Sequence, residues 1–238
     1  MTYSEEAFAL LVVGLYLFDC TVPLARGQAL LERAGRSWTL SFGNPHYVIR
    51  GKTVAVLNPL TPCTPAFKTL PLVALRRDGS VSPSRAARAI ALLRMPALLQ
   101  FGLVLIVIPV TIAWYPGWPF LAGLALAYLN LCVMLVIAFA GVRRAQARPA
   151  NHLLSVAFAS IVCLPLSVNL HRRICMSFTL TGDAFRFLRL VPAPIRTATR
   201  MKLLSHIEET LHETEEATPA FEALSSLQRD LTMRIANG

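Results

Sequence analysis

With 238 residues, 55% of them apolar, and a mean hydropathy of +0.53, the chain carries more oily surface than the cores of one or two soluble domains need. The net charge of +10 would suit nucleic acid, but the basic residues sit at the ends of apolar runs and no basic stretch is interleaved with stacking aromatics, so nucleic acid is excluded from the expected partners. Charges are absent over 7–18, 95–142 and 153–170, the pattern that a hydrocarbon core imposes on segments of about 20 helical residues. The expected fold class is therefore a membrane protein, mainly α-helical, with three or four transmembrane segments, a small cytoplasmic β-meander and a C-terminal amphipathic helical hairpin.

Residues 1–24 read as an N-terminal membrane anchor. Glu5 and Glu6 stand where a secretory signal needs Lys or Arg, and no Ala-x-Ala site follows, so the first run is expected to be retained. Asp19 interrupts it, and an ionisable group in an apolar segment is costly unless it is paired or reaches the interface. Arg26 is its expected partner. A helical continuation through Gln28, Ala29, Leu30, Leu31 and Glu32 would end at Gly35, a residue suited to the left-handed position after a helix.

Residues 25–83 form the expected cytoplasmic loop domain. Trp38, Leu40 and Phe42 alternate with Ser37, Thr39 and Ser41, the period of a half-buried strand. Turn signals at Gly43-Asn44-Pro45 and Gly51-Lys52 then predict a meander of three short strands over 37–57. The run from Asn58 to Pro65 holds three prolines and is expected to lie extended as an unpaired strap.

Residues 84–170 are the expected transmembrane hairpin plus a fourth apolar segment. Ser82-Pro83 supplies a cap and a first-turn proline for a helix running through Arg85, Arg88 and Arg94 into the second span, about 95–115. The aromatic turn Trp114 to Pro119 returns the chain through a third span, about 120–142. Pro165 divides the fourth segment, 153–170, which suits a re-entrant or interfacial helix as well as a full span; Ser155, Ala159 and Cys163 line one face with small side chains. Eleven Arg and Lys between Arg26 and Arg94, none from Trp114 to Pro119 and three from Arg143 to Arg148 place the N-terminus outside and the loop domain in the cytoplasm. The same rule favours three spans, a re-entrant fourth segment and an internal C-terminus, in a multi-pass protein of a bacterial inner membrane.

Residues 171–238 are the expected cytoplasmic helical tail. Leu203, Leu204, Ile207 and Leu211 mark one apolar face, and Phe221, Leu224, Leu227, Leu231 and Ile235 mark another after the Thr218-Pro219 cap.

The candidate functional residues are few. Asp19, Gln100 and Asn130 are the intramembrane polar positions, the latter two at matching depth on the arms of the hairpin, where they offer a cross-helix hydrogen bond or part of a polar path. His206, Glu209, Glu213 and Glu216 fall within about 80° of one helical face, but a second helix of ligands is missing and a solvated face explains them better than a metal. His46, Arg50 and Lys52, and His171, Arg172 and Arg173, are two basic groups suited to anionic lipid headgroups or to plain positive-inside charge. The five cysteines form no Cys-x-x-Cys pair and read as packing residues. No nucleophile elbow, phosphate loop, zinc-protease or dinucleotide motif occurs, and Glu32 and Asp78 are the loop domain's only acids. No catalytic, cofactor-binding or metal residue is expected. The expectation is a non-enzymatic accessory, scaffold or assembly component, with the lipid bilayer and a protein held by the C-terminal helices as partners. A small oligomeric transporter or channel subunit is the alternative, and a lipid-acting enzyme the least supported.

Overall fold

Helices take 70% of the structure, a computed structural model, and prolines decide where several of them break. The structure describes residues 3–25, 27–35, 37–49, 51–69, 82–115, 117–144, 150–178, 180, 184–212 and 218–236. Helix α1 (Tyr3–Asp19) is followed by strands β1 (Thr21–Leu24), β2 (Leu30–Ala34), β3 (Ser37–Ser41), β4 (Asn44–Ile49), β5 (Lys52–Val56) and β6 (Ala66–Lys68). Then come α2 (Pro83–Ala89), α3 (Arg94–Gly102), α4 (Ile108–Trp114), α5 (Trp118–Arg144), α6 (Ala150–Val162), α7 (Leu164–Ser167) and α8 (Leu170–Ser177). The chain closes with α9 (Ala184–Phe187), α10 (Ala193–His212) and α11 (Pro219–Ala236).

These elements divide into two compact units, one of Met1–Thr21, Val56–Pro65 and Val81–Phe178, the other of Val22–Ala55, Ala66–Ser80 and Thr179–Gly238. In the first, two helices among the described residues are long and apolar enough to cross a membrane: Ala91–Trp114, which contains α3 and α4, and Trp118–Arg144, which is α5. Ser82 caps α2 as expected, its hydroxyl accepting from the Arg85 amide at 3.4 Å. The helix does not run on from there. It stops at Ala89, and a 3-10 turn over Ala91–Leu93 precedes α3, because Pro96 has no N–H for the Leu92 carbonyl of a continuous helix. Pro109 acts likewise on Leu105, and the turn before it widens into a π-helix over Leu103–Val107.

Two other apolar segments fall short of membrane length. Helix α1 has 17 residues, and α6 has 13 because Cys163 takes an extended conformation (φ −125°, ψ 92°) ahead of Pro165. Of the three or four spans of the sequence reading, two are helices of crossing length among the described residues. Helix α6 buries Leu153, Val156, Ala157 and Ser160, while Ser155 on the small-residue face is exposed. Close approach occurs elsewhere, at Gly141 of α5, where a Cβ would stand 2.6 Å from the Ala89 carbonyl oxygen.

The second unit contains two three-stranded sheets, ordered β1-β5-β4 and β3-β2-β6. The helix expected through 28–32 is strand β2. Leu30 and Leu31 are enclosed, and β2 is paired antiparallel on both edges, with Leu31 opposite Leu40 and Phe67. Pairing on both edges overrides the local helix propensity of this stretch. Gly35, at φ +61°, therefore turns β2 into β3 instead of ending a helix. The three strands expected over 37–57 are present but do not form one meander: β3 joins β2, while β4 and β5 pair in the other sheet. Helices α10 and α11 pack against each other, Leu203, Ile207, Leu224 and Leu231 are buried, and Thr218 caps α11 by accepting from the Phe221 amide.

Candidate functional site

Two of the three intramembrane candidates meet. The Asn130 side-chain amide donates to Gln100 Oε1 at 2.8 Å and to the Pro96 carbonyl at 2.9 Å, both on α3. Gln100 Nε2 donates in turn to Ser167 Oγ at 2.7 Å, and Ser167 to the Leu164 carbonyl at 2.6 Å. Gln100 and Ser167 are wholly buried and Asn130 nearly so, so this chain ties α3, α5 and α7 together inside the bundle. A buried polar network stabilises only when its members find partners, and these do.

Asp19 lies in a different cluster. Its Oδ1 accepts from Arg173, from Nε at 2.9 Å and from the nearer terminal nitrogen, whereas its Oδ2 is buried without a hydrogen-bond partner among the described residues. The expected partner, Arg26, lies outside the described residues. Arg173 takes that role from 154 positions further along the chain.

Arg172, beside it, is the largest fully buried side chain in the structure. Its Nη2 donates to the carbonyls of Asn58 and Thr61 at 2.6 Å each, and its Nη1 to Asn169 Oδ1 at 3.4 Å, with Cys20 Sγ 4.0 Å away. Asn169 Nδ2 donates to the same sulfur at 3.4 Å, and the Tyr16 hydroxyl donates to the Pro59 carbonyl. The carbonyls converge because the expected extended strap is coiled into two successive turns. The Thr61 amide returns to the Asn58 carbonyl at 3.3 Å and the Thr64 amide to the Thr61 carbonyl at 3.1 Å, with Pro59 and Pro62 each second in its turn, where a fixed φ suits proline. Two aligned carbonyl dipoles thus solvate a guanidinium withdrawn from water.

His171 is also fully enclosed, and neither ring nitrogen has a partner among the described residues. Burial, with repulsion from Arg94 and Arg172, pushes it down to about 3, so the ring is neutral. Of the basic group, His171 and Arg172 are therefore interior to the first unit, while Arg173 is half-buried. Of the other basic group, Lys52 begins β5 and is exposed, while Arg50 and the His46 side chain lie outside the described residues.

The second unit holds a cavity of about 670 Å³ between the β3–β4 connection, Thr53 of β5 and one face of α10. Lys202, His206 and Glu209 line it, with Phe42 and Gly43 opposite. Gly43 is at φ +78°, and a Cβ there would meet Thr53 Oγ1 at 3.0 Å. The His206 ring lies 5.7 Å from that of Phe42, its Nδ1 is 3.8 Å from Glu209 Oε2, and its Nε2 is buried without a partner among the described residues. Burial holds the imidazole below its usual value, partly offset by Glu209. Glu213 and Glu216 lie outside the described residues, and among those described no three His, Cys, Asp or Glu converge as metal ligands.

The segment from Ser167 to Arg173 thus supplies partners to both polar clusters, a role that sequence reasoning missed because it treated the basic residues there as interfacial charge. No protein-family model, no curated protein and no solved structure matches this chain.

Proposed function

We propose that the chain is a non-enzymatic integral membrane protein, an accessory or assembly component that binds other proteins through its water-facing unit of sheets and C-terminal helices. The observation that carries the membrane part is the mismatch between hydropathy and burial. Ala91–Trp114 and Trp118–Arg144 are strongly apolar, yet only 28% of the most apolar stretch of each is buried. A core helix of a soluble protein with such composition would be enclosed; these leave Ile106, Val110, Leu129 and Val136 uncovered, and lipid is the medium that accepts them. On this reading α1 is a short third span with Asp19 at its cytoplasmic end, α6 enters and leaves by the same side, and the N-terminus is external. Reporter fusions after Val142 and at Gly238 test the orientation: both report the cytoplasm if it holds, and an external Gly238 overturns the re-entrant fourth segment.

Partner binding is supported by exposed apolar side chains beside arginines at the start of α10, Ile195 and Met201. Leu224 and Leu231 are enclosed against α10, so charging them breaks the hairpin itself. The test is gentle extraction and co-purification. A partner should be retained by the native chain and lost with Ile195→Glu and Met201→Glu, and a native chain that purifies alone overturns the scaffold reading. The transporter alternative draws less support, because Gln100 and Asn130 are committed to partners within the bundle.

A further inference from the structure

We infer that the cavity beside α10 is a binding site for a small zwitterion, an ammonium group joined through a short linker to a carboxylate or a phosphate.

The volume, about 670 Å³, falls in the range of small-molecule pockets. Its wall is built for a polar ligand. Lys202, His206 and Glu209 share one helical face, because offsets of four and three residues return to the same side of an α-helix. Lys202 and Glu209, seven residues apart, stand about 10 Å from each other along the axis, and flexible side chains let both reach a ligand seated between them. They are the charged groups among the described lining residues, and they cancel. Burial holds the His206 imidazole below its ordinary value, which disfavours a third charge in the wall. An unbalanced anion would meet Glu209 and an unbalanced cation would meet Lys202, whereas a molecule bearing both signs satisfies each end. Phe42, its ring 5.7 Å from that of His206, adds apolar surface to the wall beside it for the ligand's body. The floor is closely packed: a Cβ at Gly43 would press on Thr53 and on the Val54 carbonyl, at a φ of +78° that already favours glycine.

Two sources carry this chemistry, a free amino acid and the headgroup of an ethanolamine phospholipid. Isothermal titration of the full chain in an uncharged maltoside detergent, with L-phenylalanine in one arm and glycerophosphoethanolamine in the other, separates them. Saturable binding is expected in one arm, with Kd between about 10 µM and 1 mM. Lys202→Glu and Glu209→Lys should each weaken it by about tenfold or more, and the double reversal should recover most of the loss, because the dipole can bind turned end for end. Both positions are exposed, so circular dichroism should be unchanged. Absence of saturation in both arms, or equal affinity in all three variants, overturns the assignment.

Discussion

Arg172 shows how much one buried side chain can organise. Replacing it with Ala removes the donor to two carbonyls and empties the space it fills, and both losses act together. The expected cost is about 3 to 5 kcal/mol in chemical unfolding of the detergent-solubilised protein, against about 1 kcal/mol for Asp19→Asn, whose partner Arg173 retains access to water. Equal losses would show that the turns at Pro59 and Pro62 do not depend on the guanidinium. His171 gives a second residue-level expectation. Its folded-state value of about 3 lies below the ordinary 6.5, so between those limits the unfolded chain binds a proton that the folded chain refuses. Stability should therefore fall as pH drops from 6.5 towards 3, by up to about 1.4 kcal/mol per pH unit, and His171→Leu should flatten the thermal midpoint between pH 7 and 5. Neither role was legible in the sequence. Three adjacent basic residues after an apolar run look like interfacial charge, and only the fold reveals that Asn58 and Thr61, more than 100 positions away, turn their carbonyls to one of them.

At the scale of elements, the approach of α5 to the end of α2 depends on one missing methyl group. Gly141→Ala would place a Cβ 2.6 Å from a backbone oxygen that cannot rotate away, so the helices must separate, at an expected cost of about 1 to 3 kcal/mol. Gly102→Ala, with open space around it, should be neutral or stabilising by up to about 1 kcal/mol; thermal unfolding of the pair compares them directly. What the sequence made legible here was local chemistry: the Ser82 and Thr218 caps, the two long apolar helices, the apolar faces of α10 and α11, and the positions of three strands. What it did not make legible was set by distant partners. Leu30 and Leu31 fit a helix or a central strand equally well until β3 and β6 cover both edges, and three prolines in eight residues fit an extended strap or tandem turns until the position of each is considered.

For the whole molecule, the division into two units predicts separate responses. Leu224→Asp should abolish the α10–α11 packing and remove hydrogen-exchange protection from those helices, while amides of α5 keep theirs; loss of protection in both would show that the units fold as one. The sequence made the two long apolar stretches visible, but not that the second unit is assembled from three separate stretches of chain. The enclosure of Arg172 has a consequence for biogenesis. Cys20, Asn58 and Thr61 leave the ribosome long before the residue that joins them, so during synthesis the double turn lacks the cation that gathers its carbonyls. The N-terminal helix can take its final seat only after residue 172 has emerged, which makes the last stretch of the helical unit the latch on the first.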